Sequence, residues 1–245
     1  IGKRVQEGVE SAFFPGCNMG PYLDDATHLL ISAGPDEAGD PVLRELREEI
    51  AKREFEWVGY LSTTGVYGDH QGDWVDEYTP LNPSTRRGQL RVAAEAEWQA
   101  MDLPLHIFRL AGIYGPGRGP FSKVREGTAR RIIKHAQVFS RIHVDDIAQV
   151  LAASIAQPNA GSVYNLCDDD PAPPQDVIGH AAELLGLPLP EAVGYEMAEL
   201  TPMARSFYAE NKRVRNDRIK DELGVVLKFP DYRLGLQSLL DLEVS

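Results

Sequence analysis

The sequence predicts an α/β fold built on a doubly wound parallel sheet, and three observations predict it. Short apolar runs alternate with amphipathic stretches between residues 27 and 110 in the order strand, helix, strand, helix, strand. The runs are apolar without a polar alternation, as strands covered on both faces require. Each stops in a short segment carrying Gly, Pro, Ser or Thr.

Residues 27–32 (THLLIS) are the first clear strand, stopped by Ala33, Gly34 and Pro35. Asp40 then caps a helix with Pro41 at its first position. Val42, Leu43, Leu46 and Ile50 recur at helical spacing and lay one face on the sheet. Residues 57–61 (WVGYL) are a second buried strand, ending in Ser62, Thr63, Thr64 and Gly65. Ser84 or Thr85 opens a helix reaching about Met101, and residues 105–110 (LHIFRL) are a third strand.

Beyond this, residues 115–120 (GPGRGP) read as loop from their Gly/Pro density, and residues 144–155 as an amphipathic helix capped by Asp145 and Asp146. A strand at 163–166 and a helix at 176–185 closed by Gly186 follow. Residues 188–202 read as irregular, and residues 211–223 as an exposed helix with basic and apolar residues alternating. Upstream, residues 1–8 look like the end of a helix and residues 10–14 like a strand. A doubly wound nucleotide fold normally opens with a strand, a Gly-x-Gly-x-x-Gly turn and a helix. The Gly-x-Gly-x-Gly string at 115–119 has proline inside it and opens no periodic helix. The expectation is therefore that the first βαβ unit lies outside this sequence.

The formal net charge is −12, which argues against nucleic acid as a partner, because a phosphate-backbone surface is normally basic. It leaves room for a small anionic ligand, since arginines cluster at 86–91 and 125–131. Cys17 and Cys167 show neither metal spacing nor a disulfide framework, and the six histidines are scattered, so no metal is expected. No apolar run approaches the roughly 18 residues of a membrane span. These features together point to a cytoplasmic protein.

Four segments carry a more specific signal: LSTTGVYG at 61–68, residues 83–95, FRLAGIYGP at 108–116 and RIHVDD at 141–146, with GSVYNL at 161–166 as a fifth. In this order and spacing they resemble the extended branch of the short-chain dehydrogenase superfamily, the NAD-dependent epimerase/dehydratase family, in its atypical nucleoside-diphosphate-sugar epimerase-like form. The resemblance covers roughly residues 25–186. It implies a Rossmann-like dinucleotide-binding core over residues 1–168, N-terminally incomplete. It also implies a small C-terminal substrate lobe over residues 169–245, with contributions from about 115–140. NAD or NADP is the implied cofactor, and a homodimer a possible assembly.

In that family a strand-end hydroxyl bonds the reacting oxygen, a tyrosine moves its proton, and a lysine four residues later holds the nicotinamide ribose. The hydroxyl falls at Thr63, four residues before Tyr67, with Ser62 beside it. A strand-end turn that uses these hydroxyls on its own backbone is the alternative. Anchoring on Gly88 and Glu95 puts Arg87 at the tyrosine position and Arg91 at the lysine position. Arg91 can still donate to ribose hydroxyls. Arg87 cannot act as an acid, because a guanidinium keeps its proton, but it can fork onto a carboxylate or phosphate. Two arginines on a solvated helix face near Glu95 and Glu97 are the alternative.

Tyr67 is a candidate displaced acid, with packing as the competing role. Ser32, Ala33, Gly34, Ser62, Ala111, Gly112 and Ile113 are the further cofactor contacts that the resemblance implies. Arg118, His143 and Arg205 join Arg87 as candidate substrate contacts. The implied function is an NAD(P)-binding oxidoreductase or epimerase acting on a sugar-nucleotide or similar anionic substrate through a non-standard site. The alternative is a non-catalytic NAD(P)-binding sensor or regulatory module.

Overall fold

The computed structural model describes residues 8–244, without the side chain of Val244. In chain order its strands are β1 (His28–Ile31), β2 (Trp57–Thr63), β3 (Trp74–Val75), β4 (Leu105–Leu110), β5 (Gly112–Tyr114), β6 (Arg131–Ile133), β7 (Arg141–His143), β8 (Val163–Leu166), β9 (Ala192–Gly194) and β10 (Arg213–Val214). Its α-helices are α1 (Gly20–Asp24), α2 (Pro41–Ala51), α3 (Arg86–Gln99), α4 (Phe121–Arg125), α5 (Val144–Ala156), α6 (Pro174–Leu184), α7 (Pro202–Tyr208), α8 (Asp217–Asp221) and α9 (Tyr232–Val244).

A parallel sheet in the order β1-β2-β4-β8 forms the centre. Side chains alternate across it, so each apolar strand feeds two cores. On one face Trp57, Phe108, Leu110, Tyr164 and Leu166 pack with Ile147 and Val150 of α5 and Ile219 of α8. On the other, Val58, Tyr60 and Ile107 meet Leu43 and Ile50 of α2 and Ala94 and Trp98 of α3. Helices on both faces complete the doubly wound arrangement. Asp40 caps α2 by accepting from the Val42 and Leu43 amides, and Thr85 caps α3 by accepting from the Gly88 amide. A third cluster joins Tyr114, Phe121 and Val124 to α6 and α9.

The structure departs from the sequence-based expectation at several elements. Residues 10–14 are not a strand, and the helix expected over residues 1–8 lies almost wholly outside the described residues. Residues 211–223 are not one exposed helix. Arg213–Val214 pairs as β10 beside β3, only Asp217–Asp221 is helical, and Ile219 and Leu223 are buried in the core. The segment's apolar residues answer to two different neighbours, which a single helical period cannot serve. Residues 188–202 contain β9, paired with β6.

The cap of α5 is also different. His143, not an aspartate, is the N-cap, accepting from the Asp145 amide. Asp146 is fully buried and its carboxylate accepts from the Lys228 and Phe229 amides, tying the chain after α8 to the start of α5.

Gly59 makes the central strand possible. A Cβ there would lie 2.1 Å from Cη2 of Trp57, whose indole covers the glycine and donates to Ser154. Gly59→Ala is expected to destabilise the fold by about 1–3 kcal/mol, the usual cost of overpacking a filled core. A lowered urea midpoint with an unchanged m-value is the check.

Candidate active site

Beneath the site lies a buried polar network. Arg109 on β4 forks onto Glu95 of α3, with Nη2 to Oε2 at 2.8 Å and Nε to Oε1 at 3.2 Å. The two side chains are 5% and 2% exposed. Ser62 donates to the same carboxylate. Arg109 Nη1 also donates to the Tyr67 hydroxyl (3.0 Å), which donates to Asn165 Oδ1 on β8 (2.7 Å). Glu95 is therefore internal, and the solvated helix face that would have made it a surface partner for Arg87 and Arg91 does not exist at this position.

Above this network, a cavity of about 440 Å³ opens at the C-terminal ends of β2 and β4. Open α/β sheets bind ligands at such ends. Thr63, Arg87, Ala111, Gly112 and Ile113 line it together. Gly88 brings Arg87 there, because α3 sits so close to the strand-end turn that a Cβ at Gly88 would lie 2.8 Å from the Gly65 carbonyl oxygen. Thr63 Oγ1 accepts from the Gly65 amide at 3.2 Å, which fixes the hydroxyl at the turn. Arg87 is exposed, lies over the Phe207 ring at 5.5 Å, and forms no ion pair among the described residues.

The remaining candidates lie elsewhere. Tyr67 is fully buried and its hydroxyl is committed on both sides; burial pushes its pKa up to about 12. That corrects its reading as a displaced acid. Ser62 is committed to Glu95, is buried and does not line the cavity. Arg91 does not line the cavity; its Nη1 donates to the Ala33 and Leu61 carbonyls and the Tyr60 hydroxyl, bridging the ends of β1 and β2. Ser32 and Gly34 lie exposed beside this bridge.

Three candidate substrate contacts also fall outside the cavity. His143 is buried against Phe229 at 4.1 Å, serves as a helix cap, and has its pKa lowered by burial. Arg118 closes the turn from Gly115 and lines a separate cleft with α4 and α9. Arg205 lies over the Tyr195 ring and donates to the Ala198 carbonyl.

The rest of the cavity's lining comes from Ser140 and Arg141, from Ser206, Phe207 and Tyr208 at the end of α7, and from Glu210 and Lys212 after it. Lys212 Nζ donates to the Gly68 carbonyl and to Glu210, each at 2.7 Å, and Glu210 also accepts from Ser84. The basic character of residues 211–223 was the available signal, but only the β3–β10 pairing turns Lys212 inward. Among the described residues no cluster has the makings of a metal site, and no helix is long and apolar enough to cross a membrane.

Behind Arg141 lies Asp168, 1% exposed, with no hydrogen-bond partner for either carboxylate oxygen. Burial pushes its pKa from an ordinary 3.8 up to about 8, with Arg141 pulling the other way. Between these values the folded protein holds a proton that the unfolded chain has lost, so stability falls as pH rises from about 4 to 8 and then levels. Asp168→Asn keeps the shape and removes the ionisation. Its melting temperature is expected to pull ahead of the parent's between pH 5 and 8, by about 2–4 °C for each kcal/mol recovered. Paired thermal melts across that range are the check, and a constant difference would contradict the assignment.

Residues 42–167 match the profile of the NAD-dependent epimerase/dehydratase family. The chain is 31% identical to Protein YeeZ of Escherichia coli K12 over 256 aligned positions, covering 94% of this chain and 86% of that protein. A solved structure of a conserved protein of unknown function from Silicibacter pomeroyi is 67% identical, with a TM-score of 0.91 over 94% of this chain and 82% of that one. The UDP-glucuronic acid 4-epimerase of Bacillus cereus, solved with UDP-glucuronic acid and NAD, shares the fold. It is 16% identical, with a TM-score of 0.75 over 92% of this chain and 78% of that one. With strand-end motifs, a parallel Rossmann-like sheet and these relatives in agreement, the chain belongs to the NAD-dependent epimerase/dehydratase family.

Proposed function

We propose that the chain is an NAD(P)-binding oxidoreductase or epimerase-like protein that acts on a small anionic, sugar-like substrate in this cavity. One observation carries the reading: in a chain of net charge −12, Arg87, Arg141 and Lys212 line a single cavity against one carboxylate, Glu210. A cavity whose lining charges are mainly of one sign draws in the opposite sign. In the same reading, residues 1–168 form the dinucleotide-binding core, and residues 169–245, with parts of 115–140, form the substrate lobe.

The residues present fit the nicotinamide end of such a cofactor. Arg91 keeps Nε and Nη2 without a protein acceptor among the described residues, so it would donate to the ribose hydroxyls. The backbone of Ala111, Gly112 and Ile113 would border the ring. A nicotinamide, when bound, supplies the hydride donor or acceptor. Thr63 would donate to and orient the reacting oxygen, while Arg87 neutralises substrate charge. Arg87 cannot give up its proton, and Tyr67 is sealed in the core, so proton exchange falls to water in the cavity.

Turnover is checked by following reduced-nicotinamide absorbance across a panel of nucleotide sugars and sugar acids. Thr63→Ala is expected to lower kcat by about 10²–10³, as loss of a single stabilising donor does. Arg87→Ala is expected mainly to raise KM, by about 10-fold or 1.4 kcal/mol. The loss of an acid at position 87, with Tyr67 buried, favours one second reading, a non-catalytic NAD(P)-binding sensor or regulatory module. Tight dinucleotide binding without turnover of any panel member would select it, and no binding of NAD or NADP would defeat both.

A further inference from the structure

Arg141 occupies an unusual electrostatic position in the cavity wall. Its Nη1 is held by the backbone carbonyls of Phe139 (2.7 Å) and Ala172 (3.1 Å). Nε and Nη2 have no acceptor, and Arg141 forms no ion pair, among the described residues. The acidic and phenolic groups that bear on it are Asp168, Asp170, Tyr114 and Tyr232. Asp170 is engaged by Arg233 at 2.8 Å, and the Asp168 carboxyl, whose pKa burial raises, makes neither a hydrogen bond nor an ion pair with the Arg141 guanidinium. A guanidinium removed from bulk water without a countercharge is costly unless a ligand supplies one.

A second donor stands beside it. Tyr208 is 8% exposed, lines the same cavity, and its hydroxyl has no hydrogen-bond partner among the described residues. The Arg141 charge acts on this phenol, opposing the effect of burial. The cavity's own carboxylate does not compete, because Glu210 is held by Lys212 and Ser84.

We propose that Arg141 and Tyr208 form an oxyanion subsite that takes the carboxylate of a small, sugar-sized acid. This rests on the reading of the cavity as the substrate site and assigns this part of its lining to the substrate's charged end. The Nε/Nη2 edge of Arg141 offers two parallel donors, matching the two oxygens of a carboxylate, and the phenol adds a third. One cation suits a singly charged group better than a dianionic phosphate. A cavity of about 440 Å³ has room for a monosaccharide acid.

The test is calorimetric titration of the whole protein with D-glucuronate, with D-glucose as the uncharged counterpart, and with inorganic phosphate. Glucuronate is expected to bind at least ~10-fold more tightly than glucose, as a charge-assisted hydrogen-bonded contact provides. Arg141→Gln should abolish that difference, and Arg141→Lys, which keeps the charge but loses the fork, should not fully restore it. Tyr208→Phe should weaken glucuronate binding by about 3–10-fold while leaving glucose unchanged. This variant decides the matter independently if Arg141→Gln fails to fold, since Tyr208 donates to no protein group.

Equal affinity for glucuronate and glucose, or glucuronate binding unchanged in Arg141→Gln or Tyr208→Phe, overturns the proposal. So does an Arg141-dependent preference for phosphate over glucuronate. Binding of NAD and of NADPH is measured on the same samples and is expected to be unchanged in all three variants. Absence of binding of either dinucleotide to the parent protein would count against the proposed function, whereas absence of the glucuronate preference alone counts against the subsite.

Discussion

The ion pair between Arg109 and Glu95 is the contact on which the geometry of the site depends. It joins β4 to α3 in the interior, where neither charge could remain without the other; removing one partner of such a pair typically costs about 3–5 kcal/mol. The pair is satisfied in full because Ser62, Tyr67 and Asn165 bring the ends of β2, the following turn and β8 into the same network. α3 is thereby held at a fixed rotation against the sheet. That rotation places Glu95 inside, Arg91 across the strand ends and Arg87 in the cavity.

The same network accounts for the position of Tyr67. Tyr67 could have supplied a phenol to the cavity only by leaving Arg109 and Asn165 with unmet hydrogen bonds in the core. On α3, Arg87 brings to the cavity a guanidinium, which keeps its proton. The cavity therefore has cations from α3 (Arg87), from β7 (Arg141) and, just before β10, from Lys212, the last paired with Glu210. Between them lie the hydroxyl of Thr63 and the exposed backbone after β4.

The sequence was a good guide to the central sheet. Residues 27–32, 57–61, 105–110 and 163–166 are apolar runs whose neighbours in the sheet are the next runs along the chain, so local pattern and tertiary pairing agree. Thr63, Arg87 and Ala111–Ile113 were legible for the same reason, since each follows directly from where a strand ends or a helix begins. His143, Arg118 and Arg205 were misassigned because their direction depends on packing that no spacing encodes. His143 is drawn inward by Phe229, more than 80 residues later.

By itself, then, the sequence determined the doubly wound sheet, its strand-end motifs and the spacing of Arg87 and Arg91 on one helix, because these are set by residues near one another in the chain. The tertiary structure decided which of those groups face the cavity. Arg141, Tyr208 and Lys212 share a cavity with Thr63 through long-range contacts, among them β3 with β10, which turn a segment read as an exposed helix into part of the cavity lining. It also separated Tyr67 from the site, because a buried salt bridge claims its hydroxyl more strongly than its place in a motif suggests.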